Sequence, residues 1–260
     1  MVEKPDAGLD IVLLARKNYV SSADYMFNGV RVIALAAPRH AHFEAITHTI
    51  VGVLNARFVQ RAHIVHVHGI GPALAAPLAR LLGMKVIVTH HSRNYLHQKW
   101  NKLSQAVLRL GEWCAATFAN HVIAVSPSMA AELTSRYRRS KAISYIPNGA
   151  PDFGDPPTVE EQRAALDRFG LSAGGYILGV GRITPEKGFH DLVAAFERSN
   201  STASLIIAGK ADFENAYSQG LMARASDRII FAGHQDRRTL QSLYANAGLF
   251  VLASHHEGMP

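Results

Sequence analysis

The chain of 260 residues is 48% hydrophobic and 18% charged, which supplies the core of one large or two medium domains and excludes a disordered chain. Its single cysteine, Cys114, excludes a disulfide framework and any multi-cysteine metal site. A formal net charge of +7 points to an anionic partner.

Short β-like runs alternate with helical patterns along the chain. Asp10–Ala15, Val30–Leu35, His63–His68, Lys85–Thr89 and His121–Val125 read as strands. Pro72–Leu82, Leu103–Phe118 and Pro127–Arg136 read as helices, the last opened by Ser126 as cap and Pro127 at the first helical position. Cys114 falls in the largely apolar Leu103–Phe118 pattern and reads as a packing residue. Ile146–Pro157 is dense in turn formers, so residues 148–172 are assigned to a linker and crossing segment. The alternation resumes with strands Tyr176–Val180, Ser204–Gly209, Arg228–Ala232 and Leu249–Ala253, and helices Gly188–Arg198 and Arg237–Ala247. This order predicts an α/β protein with two Rossmann-like domains, 1–147 and 173–260, whose parallel sheets face a cleft. The second block ends on a strand with no helix after it, and the chain reads as cut at both ends.

No apolar run approaches the roughly 20 residues of a membrane span. Met1–Asp10 is polar and acidic, so a cytoplasmic protein is expected. Two basic clusters stand out: Arg136, Arg138, Arg139 and Lys141 follow one helix, while Arg93, Lys99, Lys102 and Arg109 flank another. They read either as solvated helix ends or as a peripheral contact with the anionic inner face of a membrane. No nucleic-acid module accompanies them, and no nucleic acid is expected.

The stretch Val180–Phe196, VGRITPEKGFHDLVAAF, carries the main chemical signal. It leads from an apolar strand into a helix whose Phe189, Leu192, Val193 and Phe196 recur at i, i+3, i+4 and i+7. Arg182 and Lys187 therefore sit on a strand-to-helix turn at the carboxyl edge of a sheet, where open α/β folds bind ligands. The helix amino end adds free N–H groups and partial positive charge, and together these groups suit an anion. The bland reading is a pair of ordinary surface charges on a turn. His66 and His68 alternate on one strand and share a face, and His90 and His91 follow the next strand. Such a grouping raises zinc, but no matching acidic ligand is evident in the sequence. His255 and His256 read as cleft-lining or structural, and Glu257 as the cap of a following helix.

Gly179-Val-Gly-Arg182 followed by Glu186-Lys-Gly188, then Phe231-Ala-Gly-His234 and the run Leu243–Pro260, is similar to the GT-B glycosyltransferases of retaining family 4. Val122–Ser126 and Ile146–Gly149 fit the same pattern, and His91 followed by Lys99-Trp100 resembles the rhamnosyltransferase-like group 1 members. The resemblance implies transfer, with retention, from a nucleotide-diphosphate-sugar donor to a polysaccharide or lipid-linked acceptor hydroxyl. It assigns Arg182 and Lys187 to the donor diphosphate, and Glu257, Gly258, Met259 and Pro260 to the donor sugar. His91 and Glu257 become the catalytic candidates, with His91 facing the sugar across the cleft. The second glutamate of the family's Glu-x7-Glu motif would fall beyond Pro260. No Asp-x-Asp occurs, which agrees with a metal-independent enzyme that needs no cofactor. A GT-B nucleotide-sugar epimerase and an inactive fragment that only binds nucleotide are the alternatives.

Overall fold

The computed structural model describes residues 8–20, 22, 24–36, 44–93, 95, 101–139, 142–149, 154–211, 214–255 and 257–259; Lys99, Trp100, Lys141, His256 and Pro260 lie outside them. The chain divides into two units, Met1–Asp152 and Phe153–Gly258. No helix among the described residues is long and apolar enough to cross a membrane.

The first unit holds β1 (Val12–Arg16), β2 (Asp24–Phe27), β3 (Val30–Leu35), α1 (Glu44–Phe58), β4 (Ile64–His68), α2 (Ala76–Leu81), β5 (Lys85–His90), α3 (Lys102–Phe118), β6 (His121–Ala124), α4 (Pro127–Tyr137) and β7 (Ile143–Tyr145). Strands β4-β5-β6-β7 form a parallel sheet in that order. Val67, Val86, Val88, Val122 and Ala124 bury against Val53 of α1, Ala115 of α3 and Leu133 of α4. Cys114 is buried in α3, as its apolar surroundings predict. The cap at α4 forms too: the Ser126 hydroxyl accepts from the Met129 N–H at 3.4 Å.

The purely parallel expectation fails for β1-β3-β2, a separate sheet in which β2 runs antiparallel to β3. The cause is local. Asn28 and Gly29 have φ of 48° and 78°, the tight turn whose twist matches a two-residue hairpin. Helix α1 was also not anticipated, because Ile46, Thr47, Thr49, Ile50, Val51 and Val53 are β-branched and weak helix formers. Packing of Val53 and Ala56 into the core overrides that preference.

The second unit holds α5 (Val159–Asp167), β8 (Tyr176–Val180), α6 (Phe189–Arg198), β9 (Ser204–Ala208), α7 (Ala216–Met222), β10 (Ile229–Gly233), α8 (Arg237–Asn246) and β11 (Leu249–Phe250). All four strands are parallel, in the order β10-β9-β8-β11. Alternate residues of β9 face opposite sides. Leu205 and Ile207 pack with Phe189, Leu192, Val193 and Phe196 of α6, the stripe seen in the sequence. Ile206 and Ala208 pack with Leu166 of α5 and Leu243 of α8. Each such large side chain contributes about 1.5–3 kcal/mol when fully buried.

The segment 148–172 is not simply a linker, since it contains α5. Thr158 and Glu161 form a reciprocal capping box: the Thr158 N–H donates to Glu161 Oε2 at 2.7 Å, and the Glu161 N–H donates to Thr158 Oγ1 at 3.3 Å. Arg238 and Asn246 of α8 then tie down the residue stretch before α5 and the helix itself, through Asp155 O at 2.7 Å and Gln162 Oε1 at 2.9 Å. Strand β11 is shorter than the expected Leu249–Ala253, although the Val251 N–H still donates to Leu178 O at 2.9 Å. The order of the sheet matters most for function. From β8 the chain builds outward through β9 and β10, then returns to place β11 on the other side of β8.

Candidate functional site

Open parallel sheets bind ligands outside their carboxyl ends, at the point where the strand order reverses. In the second unit that point lies between β8 and β11. From the end of β8 the Gly181 N–H donates to Ala208 O at 3.0 Å, and the Ile183 N–H to Lys210 O at 3.0 Å. A short 3-10 turn, Pro185–Lys187, then closes on Gly188. Gly188 has φ of 65°, and a Cβ there would stand 2.0 Å from Ala253 O. Only glycine lets this turn lie directly on the segment that follows β11. The His255 N–H donates to Glu186 O at 2.9 Å and fastens the two segments again. Gly209, after β9, is as tightly placed: its Cβ would meet Gly181 O at 1.8 Å.

This packing joins residues far apart in sequence. Lys187 Nζ lies 2.5 Å from Glu257 Oε1, with the two side chains 23% and 25% exposed. Gly258 is buried and Met259 exposed, while Pro260 falls outside the described residues. Arg182 stands on the same turn as Lys187 and is exposed to solvent. Helix α6 starts at Gly188 without a capping side chain. An ammonium group has three donors, so its bond to Glu257 leaves Lys187 two more.

His91 belongs to the first unit, just past β5, and its Nε2 is 3.0 Å from Nδ1 of His68 at the end of β4. His66 shares that face, its ring centroid 4.3 Å from that of His68. His66 Nε2 is fixed 2.7 Å from Thr89 Oγ1. Burial lowers the pKa of all three imidazoles. For His68, burial and then the neighbouring His66 and His91 bring it down to about 4, so this imidazole is uncharged at neutral pH. Among the described residues this trio does not converge to metal-ligand spacing.

A buried polar network escaped the sequence reading. The Glu112 carboxylate accepts from His90 Nε2 at 3.0 Å, the Tyr95 hydroxyl at 3.1 Å, Arg136 Nη1 at 2.8 Å and the Tyr137 hydroxyl at 2.9 Å. Burial alone would raise its pKa, but these hydrogen bonds outweigh it and hold Glu112 at about 2. The signal in the sequence was an acid on the buried face of an apolar helix. Two members of one basic cluster also have partners within the first unit. Arg136 binds Glu112 and Glu132, and Arg139 donates to Ala116 O and Ala119 O. Arg93 pairs with Glu132 at 2.9 Å.

The glycosyl transferase 4-like domain matches residues 3–149, and the glycosyl transferases group 1 domain matches residues 170–260. A glycogen synthase of Mycobacterium tuberculosis is 29% identical over 283 residues, covering 96% of this chain and 66% of that protein. An alpha-D-kanosaminyltransferase of Streptomyces kanamyceticus is 27% identical over 209 residues, covering 74% of this chain and 54% of that one. The chain thus spans only part of the length of these relatives. Among solved structures, sucrose-phosphate synthase from Thermosynechococcus elongatus superposes with a TM-score of 0.76 at 22% identity, covering 98% of this chain and 68% of that one. HepE from Anabaena in complex with UDP-glucose gives 0.67 at 17% identity, over 87% and 61% of the two chains. The architecture is that of the GT-B glycosyltransferases.

Proposed function

The chain belongs to the glycosyl transferase 4-like family, and from that premise we propose that it serves sugar transfer from a nucleotide-diphosphate-sugar donor to an acceptor hydroxyl. The observation that carries this reading is the Lys187–Glu257 pair at the switch point of the second unit, on the turn that also bears Arg182. Transfer breaks the bond from the anomeric carbon to the diphosphate oxygen and forms one from that carbon to the acceptor oxygen. The departing diphosphate gains negative charge, so fixed cations stabilise the transition state more than the ground state. Arg182 offers a planar fork for phosphate oxygens and Lys187 a mobile point charge. These two cations replace a metal at the diphosphate. Glu257 orients Lys187 and, with Gly258, Met259 and Pro260, meets the donor sugar. In the first unit, His91 is held by His68.

Retention follows a front-face path in which the leaving phosphate takes the acceptor proton. The acceptor is a polysaccharide or lipid-linked oligosaccharide, met by a cytoplasmic protein at a membrane surface. For such a surface α3 exposes Leu103, Leu110 and Trp113 beside Lys102 and Arg109. The support for a nucleotide-sugar donor is family membership together with the fold shared with HepE, whose structure contains UDP-glucose. Calorimetric titration with UDP, GDP, ADP and the matching nucleosides tests the reading. At least one diphosphate should bind well above its nucleoside. Equal binding of every nucleoside and its diphosphate would remove the anion site, and the reading with it.

A further inference from the structure

The turn after β8 and the segment after β11 meet a second time, next to the Lys187–Glu257 pair. His190 and Asp191 lie in the first turn of α6, and His255 lies two residues before Glu257. His255 Nε2 is 2.7 Å from Asp191 Oδ2, and His190 Nε2 is 3.5 Å from the same oxygen. One donor atom from each residue lies within 4.8 Å of the others. We propose that His190, Asp191 and His255 form a binding site for a divalent transition metal of the zinc class, with a fourth position open to solvent.

Two imidazoles and one carboxylate suit a borderline metal, whereas magnesium and calcium prefer all-oxygen sites. A tetrahedral zinc with bonds of about 2.0–2.1 Å spaces its ligand atoms by about 3.4 Å. The 3.5 Å separation of His190 and Asp191 already has that value, and the 2.7 Å contact of His255 with Asp191 needs only a small opening. The orientation of His190 is also supplied. Its Nδ1 is 3.0 Å from the Tyr217 hydroxyl, so an Nδ1–H donated to that oxygen leaves the Nε2 lone pair toward Asp191. Outer partners of this kind set the tautomer of metal-bound histidines. Asp191 is a largely exposed carboxylate and supplies negative charge at neutral pH. The positive amino end of α6 opposes a cation, and Asp191 offsets it. Lys187, a cation on the turn just before α6, is already paired with Glu257.

This site is separate from the diphosphate contacts and does not depend on the proposed transfer. Occupied, it fastens the segment that bears Glu257 to the start of α6. The test is calorimetric titration of chelator-stripped protein with Zn²⁺, with Mg²⁺ as control. A single equivalent of Zn²⁺ should bind, with no uptake of Mg²⁺ at the same concentrations. His255→Ala and Asp191→Asn should each weaken Zn²⁺ by at least about tenfold, and Tyr217→Phe by about 10–100-fold. Circular dichroism should stay unchanged, because the three ligand side chains lie partly or largely in solvent. Co²⁺ should give the visible absorption of a four-coordinate site, abolished by His255→Ala. Zinc uptake that survives His255→Ala and Asp191→Asn but vanishes with His68→Ala would transfer the metal to the other histidine group and overturn the proposal. A complete absence of zinc uptake would overturn it as well.

Discussion

Replacing Lys187 by alanine separates a diphosphate site from an ordinary surface ion pair. The ammonium group lies 2.5 Å from Glu257 and keeps two donors for phosphate oxygens. A charge-assisted hydrogen bond contributes about 1.5–3 kcal/mol, so its loss weakens diphosphate binding by roughly 10- to 150-fold. The variant also leaves the Glu257 carboxylate, 25% exposed, without its partner and facing the incoming anion. The loss should therefore fall in the upper part of that range. Converting Glu257 to glutamine in the same chain removes the repulsion, so the double variant should bind UDP better than Lys187→Ala alone. The assay is calorimetric titration with UDP and uridine, uridine reporting on the fold and the base contacts. A loss below about threefold, or an equal loss for UDP and uridine, would refute the reasoning. So would a double variant no better than the single one.

Chelation should change UDP affinity by less than about threefold if, as proposed, Arg182 and Lys187 supply the charge at the diphosphate; a larger loss with EDTA in metal-free buffer counts against this. Gly188→Ala forces a Cβ to within 2.0 Å of Ala253 O at a φ of 65° and should destabilise the second unit by more than about 1 kcal/mol. Urea unfolding checks it, and an unchanged midpoint would show that the turn relaxes without cost. Glu112 has a folded pKa of about 2 against an ordinary 4.5, so its contribution is present above pH 4.5 and lost as pH falls from there toward 2. That contribution is about 3 kcal/mol. Glu112→Gln should flatten the fall in urea stability of the first unit on acidification below pH 4.5, and an unaltered slope would contradict it.

The parts of the fold that depend on local pattern were legible. The apolar runs of β8 and β9, the α6 stripe and the Ser126 cap all stand where the sequence puts them. The missed elements have physical causes. Helix α1 is built from β-branched residues and exists through burial of Val53, which no propensity reveals. The capping box of α5 lies directly after Asp155-Pro-Pro157, and those turn formers masked it. The Asn28-Gly29 hairpin carried its own signal, but the short β2 beside it offers no apolar alternation. At the site, Arg182 and Lys187 were visible from the turn between strand and helix, whereas Glu257 entered only through family resemblance. Neither its pairing with Lys187 nor the approach of His255 to Asp191 has any local trace, since both depend on which strand lies beside β8.

That dependence explains why chemistry gathers here and not elsewhere on the sheet. A strand added in simple succession, as β9 is to β8 and β10 to β9, leaves consecutive loops side by side with helices packed between them. When β11 returns to the far side of β8, no helix joins the two neighbours, and their carboxyl ends open into a crevice. The crevice is kept narrow by Gly188, whose missing Cβ lets backbone touch backbone at Ala253. Side chains from either wall then meet at short range across a sequence separation of 70 residues, as Lys187 and Glu257 do. A larger residue at position 188 would push the walls apart and separate Lys187 from Glu257 and Asp191 from His255 together. Gly188→Ala should therefore weaken UDP and Zn²⁺ binding in the same variant, although the two ligands share no contact residue. Loss of one with the other intact would show that the two contacts are set independently of the glycine.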